Sequence, residues 1–193
     1  MKLILASTSP RRAEILHNAG FTFDVLPVSA DETLYPNEAV EDYVRRIATM
    51  KADLAAERLS SNVEPAILIA ADTVMFARGQ ILTKPADPDD ARRMLSILSG
   101  QRHSLYSGLS LVRLPDKSRV THVEKTIVDF APLSPAIIEN YIATGKSFDK
   151  AGAYAIHGLG GKFASRIEGC YFNVMGLPLY RVWLGLRSLG WAG

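Results

Sequence analysis

Residues 66–76 read AILIAADTVMF, an apolar run broken once, by Asp72 and Thr73. A stretch of this length, aliphatic and bounded by polar residues, predicts a central β-strand covered on both faces. Asp72 is the anomaly in it. An ionised carboxylate among Ile67, Leu68, Ile69, Ala70, Ala71, Val74 and Met75 is costly unless a cation or a metal pairs with it. A salt bridge or a cap at the strand end meets that need as well as a catalytic role does.

Upstream, residues 3–6 form another short apolar run that ends in STSPRR, residues 7–12. This pattern predicts a buried strand, a loop and a helix. Ser9 stands at the N-cap, where its side chain would accept a backbone hydrogen bond, and Pro10 suits the first helical position. Gly20 supplies a C-terminal cap. Residues 21–26 read as a second strand, 29–38 as an acidic loop and 40–59 as a long amphipathic helix.

Downstream, Arg78, Gly79 and Gln80 form a hairpin turn before ILTKP, and residues 87–98 form a helix ended by Gly100. Residues 103–114 and 120–130 flank the turn PDKS and predict an antiparallel pair. Ser134 and Pro135 then start a helix that runs to Gly145. Residues 149–176, rich in glycine and aromatics, lack helical periodicity, and a last helix covers 178–189. Strands alternating with helices, plus one long hairpin, predict an α/β protein with a mixed sheet and flanking helices. With no repeat and no low-complexity linker, residues 1–193 read as one domain. Ligands in such folds gather at the carboxyl ends of strands, which nominates residues 7–12 and the Asp72–Thr73 pair for one cleft.

Lys and Arg number 22 against 20 Asp and Glu. So small a surplus, without aromatic residues interleaved among basic ones, argues against a nucleic-acid or membrane surface. The opening segment is too short for the apolar region of a signal peptide, and no run reaches the length of a membrane span. The lone Cys170 cannot form an internal disulfide and reads as a small apolar filler. A cytoplasmic protein is expected.

The STSPRR segment at a helix start offers hydroxyls, backbone N–H groups and two guanidinium forks, a set suited to phosphate. The bland alternative has Ser9 capping the helix and Arg11 and Arg12 in solvent. Lys84, just after the hairpin that follows Asp72, can return its ammonium toward that carboxylate or toward bound phosphate. Taken singly, Lys51 reads as a solvated helix residue and Glu32 as an exposed loop acid. His17, His103 and His122 have no metal-ligand spacing and read as ordinary surface or core histidines.

Taken in order, ILASTSPRR, ADET, RRIATMKA, AADTV, LTKP, LSG, FDKAGAYAIHGLGGKF and RIEGCYFNVMGLPL resemble the Maf family over nearly the whole chain. The resemblance implies a Maf/ITPase-like α/β fold with a deep cleft between two lobes. It also implies hydrolysis of nucleoside triphosphates to monophosphate and pyrophosphate, a divalent metal (Mg²⁺ or Mn²⁺) and commonly a homodimer. The family's acidic catalytic position falls on Asp72. Its substrate-binding positions fall on Ser7, Ser9, Arg11, Arg12, Lys51 and Lys84, with Thr73 and His157 at positions associated with the choice of base. Glu32 matches an acid close to the metal. Asp72 can act as general base or as metal ligand, and the residues alone leave both open.

Arg11 and Thr73 fit the dTTP/UTP pyrophosphatase branch. His157 departs from it, replacing the usual glutamine by an imidazole. The 7-methyl-GTP branch, which has an aromatic residue where Arg11 stands, fits less well. A nucleotide-binding cell-division regulator with little turnover would gain nothing from keeping Asp72, Glu32, Lys51 and Lys84 together.

Overall fold

The computed structural model describes residues 1–59 and 64–193. Its strands are β1 (Lys2–Ala6), β2 (Asp24–Leu26), β3 (Ala66–Ala77), β4 (Gln80–Leu82), β5 (Arg102–Leu114), β6 (Arg119–Phe130) and β7 (Ala164–Glu168). Its α-helices are α1 (Pro10–Asn18), α2 (Val40–Arg58), α3 (Pro88–Leu98), α4 (Pro135–Ile142), α5 (Tyr171–Met175) and α6 (Leu179–Ser188). The strands form one mixed sheet in the order β2-β1-β3-β5-β6-β7, with β4 paired to β3. β1 runs parallel to β2 and β3, whereas β4 and β7 are antiparallel to β3 and β6. The α/β class and the mixed sheet are therefore as the sequence predicts.

The chain divides into two compact units. The first comprises Met1–Asp72, Ser107–Glu124 and Gly176–Gly193, and the second Thr73–Tyr106 and Lys125–Met175.

In the first unit, Ile4, Ala6, Leu68 and Ala70 of the parallel strands pack with Ala52 and Ala55 of α2. Small side chains let this helix lie close to the sheet. A close approach occurs at Gly108 of β5, where a Cβ would fall 1.9 Å from the Val44 carbonyl oxygen. No side chain fits there, so glycine is required by contact rather than by backbone angle.

In the second unit, Met75, Met94, Leu95, Leu98, Leu105 and Val128 pack with an aromatic group of Phe130, Tyr141, Tyr154 and Phe163. His103 belongs to this core. Its Nε2 is 2.8 Å from the Tyr154 hydroxyl and its ring lies edge-on to Phe130. Burial pushes the imidazole pKa down to about 4, which favours the neutral form.

Local departures from expectation have physical reasons. Ser9 is the N-cap of α1 with extended backbone angles, yet its side chain makes no cap bond. Its N–H instead donates to Ser7 Oγ at 3.1 Å. The hairpin after β3 turns through Arg78 and Gly79 alone, both at positive φ, because Gln80 already pairs with Ala77. Only Asp24–Leu26 of the expected second strand joins the sheet. Residues 149–176 hold β7 and α5 as well as the 3₁₀ turns Ala151–Ala153 and Leu159–Phe163. Elements of five residues are too short to show a period of their own, and β7 exists through its pairing with β6.

Candidate active site

The parallel register pairs Leu5 of β1 with Ile69 of β3. Ser7 follows that pair by two residues, just past the carboxyl end of β1, whereas Asp72 follows it by three and stands midway along β3 rather than late in it. Asp72 is buried, its side chain 9% exposed. The cation it requires comes from α2: Lys51 Nζ donates to Asp72 Oδ1 at 2.7 Å and to Glu32 Oε1 at 2.7 Å. Lys51 is therefore not a solvated helix residue, since its side chain is only 8% exposed while Glu32 stands 55% exposed. A lysine can bury its aliphatic stem while its ammonium reaches polar partners, here the two acids.

Tyr43, Ile47 and Lys51 are spaced four residues apart on α2, so they share a face. The Tyr43 hydroxyl donates to the Glu32 carbonyl at 2.9 Å. Burial, reinforced by the charges of Asp72 and Glu32, pushes this phenol up to about 12 and keeps its proton in place. Arg46, on the same helix, holds both carboxylate oxygens of Glu38 at 2.7 Å, donates to the Thr33 carbonyl at 3.0 Å and stacks over the Tyr35 ring. Loop 31–38, which carries Glu32, is thereby clasped onto α2.

Arg12 is buried rather than solvated. Its Nε donates to the Gly176 carbonyl at 2.9 Å and its Nη1 to Ser7 Oγ at 3.2 Å. Burial draws its pKa down, and the charges of Asp72 and Glu32 oppose that shift; the guanidinium stays protonated. Arg11 and Ser9 are half-buried at the start of α1. Ser7, Arg12, Glu32, Lys51 and Asp72 thus form one cluster in the first unit, three cations with Arg11 against two acids.

Thr73, Lys84 and His157 belong to the second unit. Thr73 is half-buried on β3, and Lys84 is exposed just after β4. The ammonium that pairs with Asp72 is that of Lys51. His157 is exposed in a segment shaped by the bond from Gly161 N–H to the Gly158 carbonyl at 2.9 Å and by the Tyr141 hydroxyl accepting from Ala155 N–H at 3.4 Å. His122 contacts Glu124 at 3.0 Å, an ordinary surface arrangement.

Among the described residues, no group of three or more His, Cys, Asp or Glu side chains is placed to hold a metal. Asp72 and Glu32 nevertheless converge on one cation, and a divalent ion that serves a phosphate substrate commonly uses one or two carboxylates, water and the phosphate oxygens. The donor set fits such an ion. A separate cavity of about 420 Å³, lined by Met1, Lys2, Phe23, Asp24 and Trp191 among others, adjoins the amino end of β1 and includes none of the cluster.

Reading the sequence missed Tyr43, Arg46 and Gly176. Helical spacing from Lys51 points to Tyr43. Nothing local points to a carbonyl 164 residues from Arg12.

The chain is 49% identical over 189 residues to the dTTP/UTP pyrophosphatase of Clostridium perfringens, covering 97% of each. It is 41% identical over 191 residues to the dTTP/UTP pyrophosphatase of Carboxydothermus hydrogenoformans, covering 99% of this chain and 100% of the other. The solved Staphylococcus aureus Ham1 protein aligns with 68% of this chain and 72% of its own, at 14% identity and a TM-score of 0.46. The family described as Maf-like protein matches residues 2–189, and the chain belongs to it.

Proposed function

We propose that this protein is a nucleoside triphosphate pyrophosphatase that hydrolyses dTTP and UTP to the monophosphate and pyrophosphate. The observation that carries the reading is the buried Asp72 held by Lys51 beside Glu32, in a chain whose relatives are named dTTP/UTP pyrophosphatases.

Water attacks the α phosphorus, the bond to the bridging oxygen breaks and pyrophosphate leaves. Asp72 accepts the proton of the attacking water. Arg12, Lys51 and Lys84 bind phosphate oxygens, where added positive charge stabilises the transition state more than the ground state. Ser7 and Ser9 add hydroxyl and N–H contacts. Arg11, Thr73 and His157 recognise the base. Glu32 and Asp72 would hold Mg²⁺ or Mn²⁺, which when bound neutralises phosphate charge and lowers the pKa of water. The enzyme works in the cytoplasm as a homodimer on free nucleotides, without nucleic-acid or membrane partners. No helix among the described residues is long and apolar enough to cross a membrane.

Product analysis across a nucleotide panel with Mg²⁺ or Mn²⁺ tests this reading. Pyrophosphate and monophosphate from dTTP and UTP are expected, and stepwise release of orthophosphate would show that the wrong bond has been assigned.

A further inference from the structure

The Lys51 ammonium stands 2.7 Å from a buried carboxylate and 2.7 Å from an exposed one. We propose that Lys51 is a built-in competitor for the divalent cation: in the nucleotide-free protein its ammonium occupies the meeting point of Asp72 and Glu32, and entry of the cation transfers it to the triphosphate. The proposal rests on the reading above that these two acids hold the metal.

Distance makes the two cations exclusive. Oxygens that are each 2.7 Å from one nitrogen lie at most about twice that far apart, about 5.4 Å. A divalent ion of magnesium size binds oxygens at about 2.0–2.1 Å, so it spans the same pair after a small closure of the exposed Glu32. It would then stand where the ammonium stands. Like charges at that separation repel strongly, and one must leave.

Charge balance favours a coupled exchange. Two carboxylates and one ammonium leave the group one charge negative; a divalent ion in place of the ammonium brings it to neutral and releases a positive charge for an arriving polyanion. The identity of the cation matters too. Arg12 is tied to the Gly176 carbonyl and Ser7, and the Tyr43 hydroxyl to the Glu32 carbonyl. Lys51 carries its charge at the end of a flexible four-carbon stem and can swing. With two protein carboxylates and an internal competitor, the protein alone holds a divalent ion weakly. Metal and triphosphate then strengthen each other's binding, a reciprocal coupling.

The test is Mn²⁺ binding to nucleotide-free protein, followed by the electron paramagnetic resonance of free Mn²⁺. Lys51→Met should bind Mn²⁺ about tenfold tighter than wild type or more, the scale of an ordinary coupling between sites. Adding Asp72→Asn should abolish the gain. Affinity equal to or weaker than that of wild type in a folded Lys51→Met would overturn the proposal.

Because that variant leaves Asp72 without its cation and can cost the fold, wild type supplies a second readout. The ¹⁵Nζ signal of the Lys51 ammonium, protected by its two ion pairs, should be lost to solvent exchange on saturation with Mg²⁺ and return on chelation. A signal unchanged at saturation also overturns the exchange. If no variant binds Mn²⁺, with or without a non-hydrolysable triphosphate, and wild type hydrolyses triphosphates in chelator, the metal reading itself fails and takes the exchange with it. Binding that ignores Lys51 removes the exchange alone.

Discussion

Asp72 and Lys51 are each less than a tenth exposed, which makes some substitutions informative and others ambiguous. Asp72→Asn is informative: the amide oxygen can still accept from Lys51, so the fold should survive while turnover falls by about two orders of magnitude or more. Turnover and ligand-free melting curves measured together check this, and a variant that does not fold would mark Asp72 as a structural ion-pair partner. Among the cations proposed to bind phosphate, Lys84 gives the cleanest test because it is exposed. Lys84→Ala should weaken catalysis and leave the melting temperature unchanged, whereas Lys51→Ala also strands a buried acid. His157→Gln should sharpen selectivity for dTTP and UTP, since a glutamine side chain presents two donors and a carbonyl to a pyrimidine edge and a neutral imidazole only one donor and one acceptor. Specificity constants with all common triphosphates decide this, and an unchanged ranking would mean that residue 157 does not face the base. Part of the cluster's geometry was legible beforehand. Asp72 announced itself by breaking an apolar run, but Lys51 looked solvated because its polarity hid its place on the buried face shared with Tyr43 and Ile47.

At the scale of elements, α2 positions the acids through three side chains: Lys51, Tyr43 and Arg46. Arg46→Ala should free loop 31–38 and raise amide hydrogen exchange there, with little change in the strands. The same clasp gives a pH dependence. Arg46 holds the Glu38 carboxyl below its ordinary value of 4.5, so its stabilisation is fully present above that pH and is lost as pH falls through the lower folded value. Protection of loop 31–38, taken relative to the intrinsic exchange rate at each pH, should therefore fall in acid in wild type and stay low at all pH in Arg46→Ala; equal protection in the two proteins would show that Arg46 holds nothing. Capped helices were the easiest elements to read. Asp87 and Ser134 accept from Asp90 N–H and Ile137 N–H as their positions suggest. β7 and α5 were illegible because pairing and packing, not a local period, define them.

For the molecule as a whole, the buried His103 predicts how global stability responds to pH. Its folded pKa of about 4 lies below the ordinary 6.5, so the unfolded chain takes up the proton first. Stability from this residue is present in full above about 6.5 and is lost as pH falls toward 4, by up to about 3 kcal/mol. His103→Gln can keep a bond to the Tyr154 hydroxyl, and it should flatten the melting temperature between these pH values; an equally steep profile would place the acid sensitivity elsewhere. The fold class was legible from alternation of elements, whereas the bounds of the two units have no mark in composition or pattern. Three of the crossings between them, after Asp72, Tyr106 and Glu124, fall inside the continuous strands β3, β5 and β6, where no linker composition can mark them. This interleaving has a genetic consequence. No single break in the reading frame yields the two units as separate products, so they cannot be cloned, shuffled or lost one at a time. A stop codon after Met175 would spare every segment of the second unit and yet remove from the first both α6 and Gly176, the anchor of Arg12.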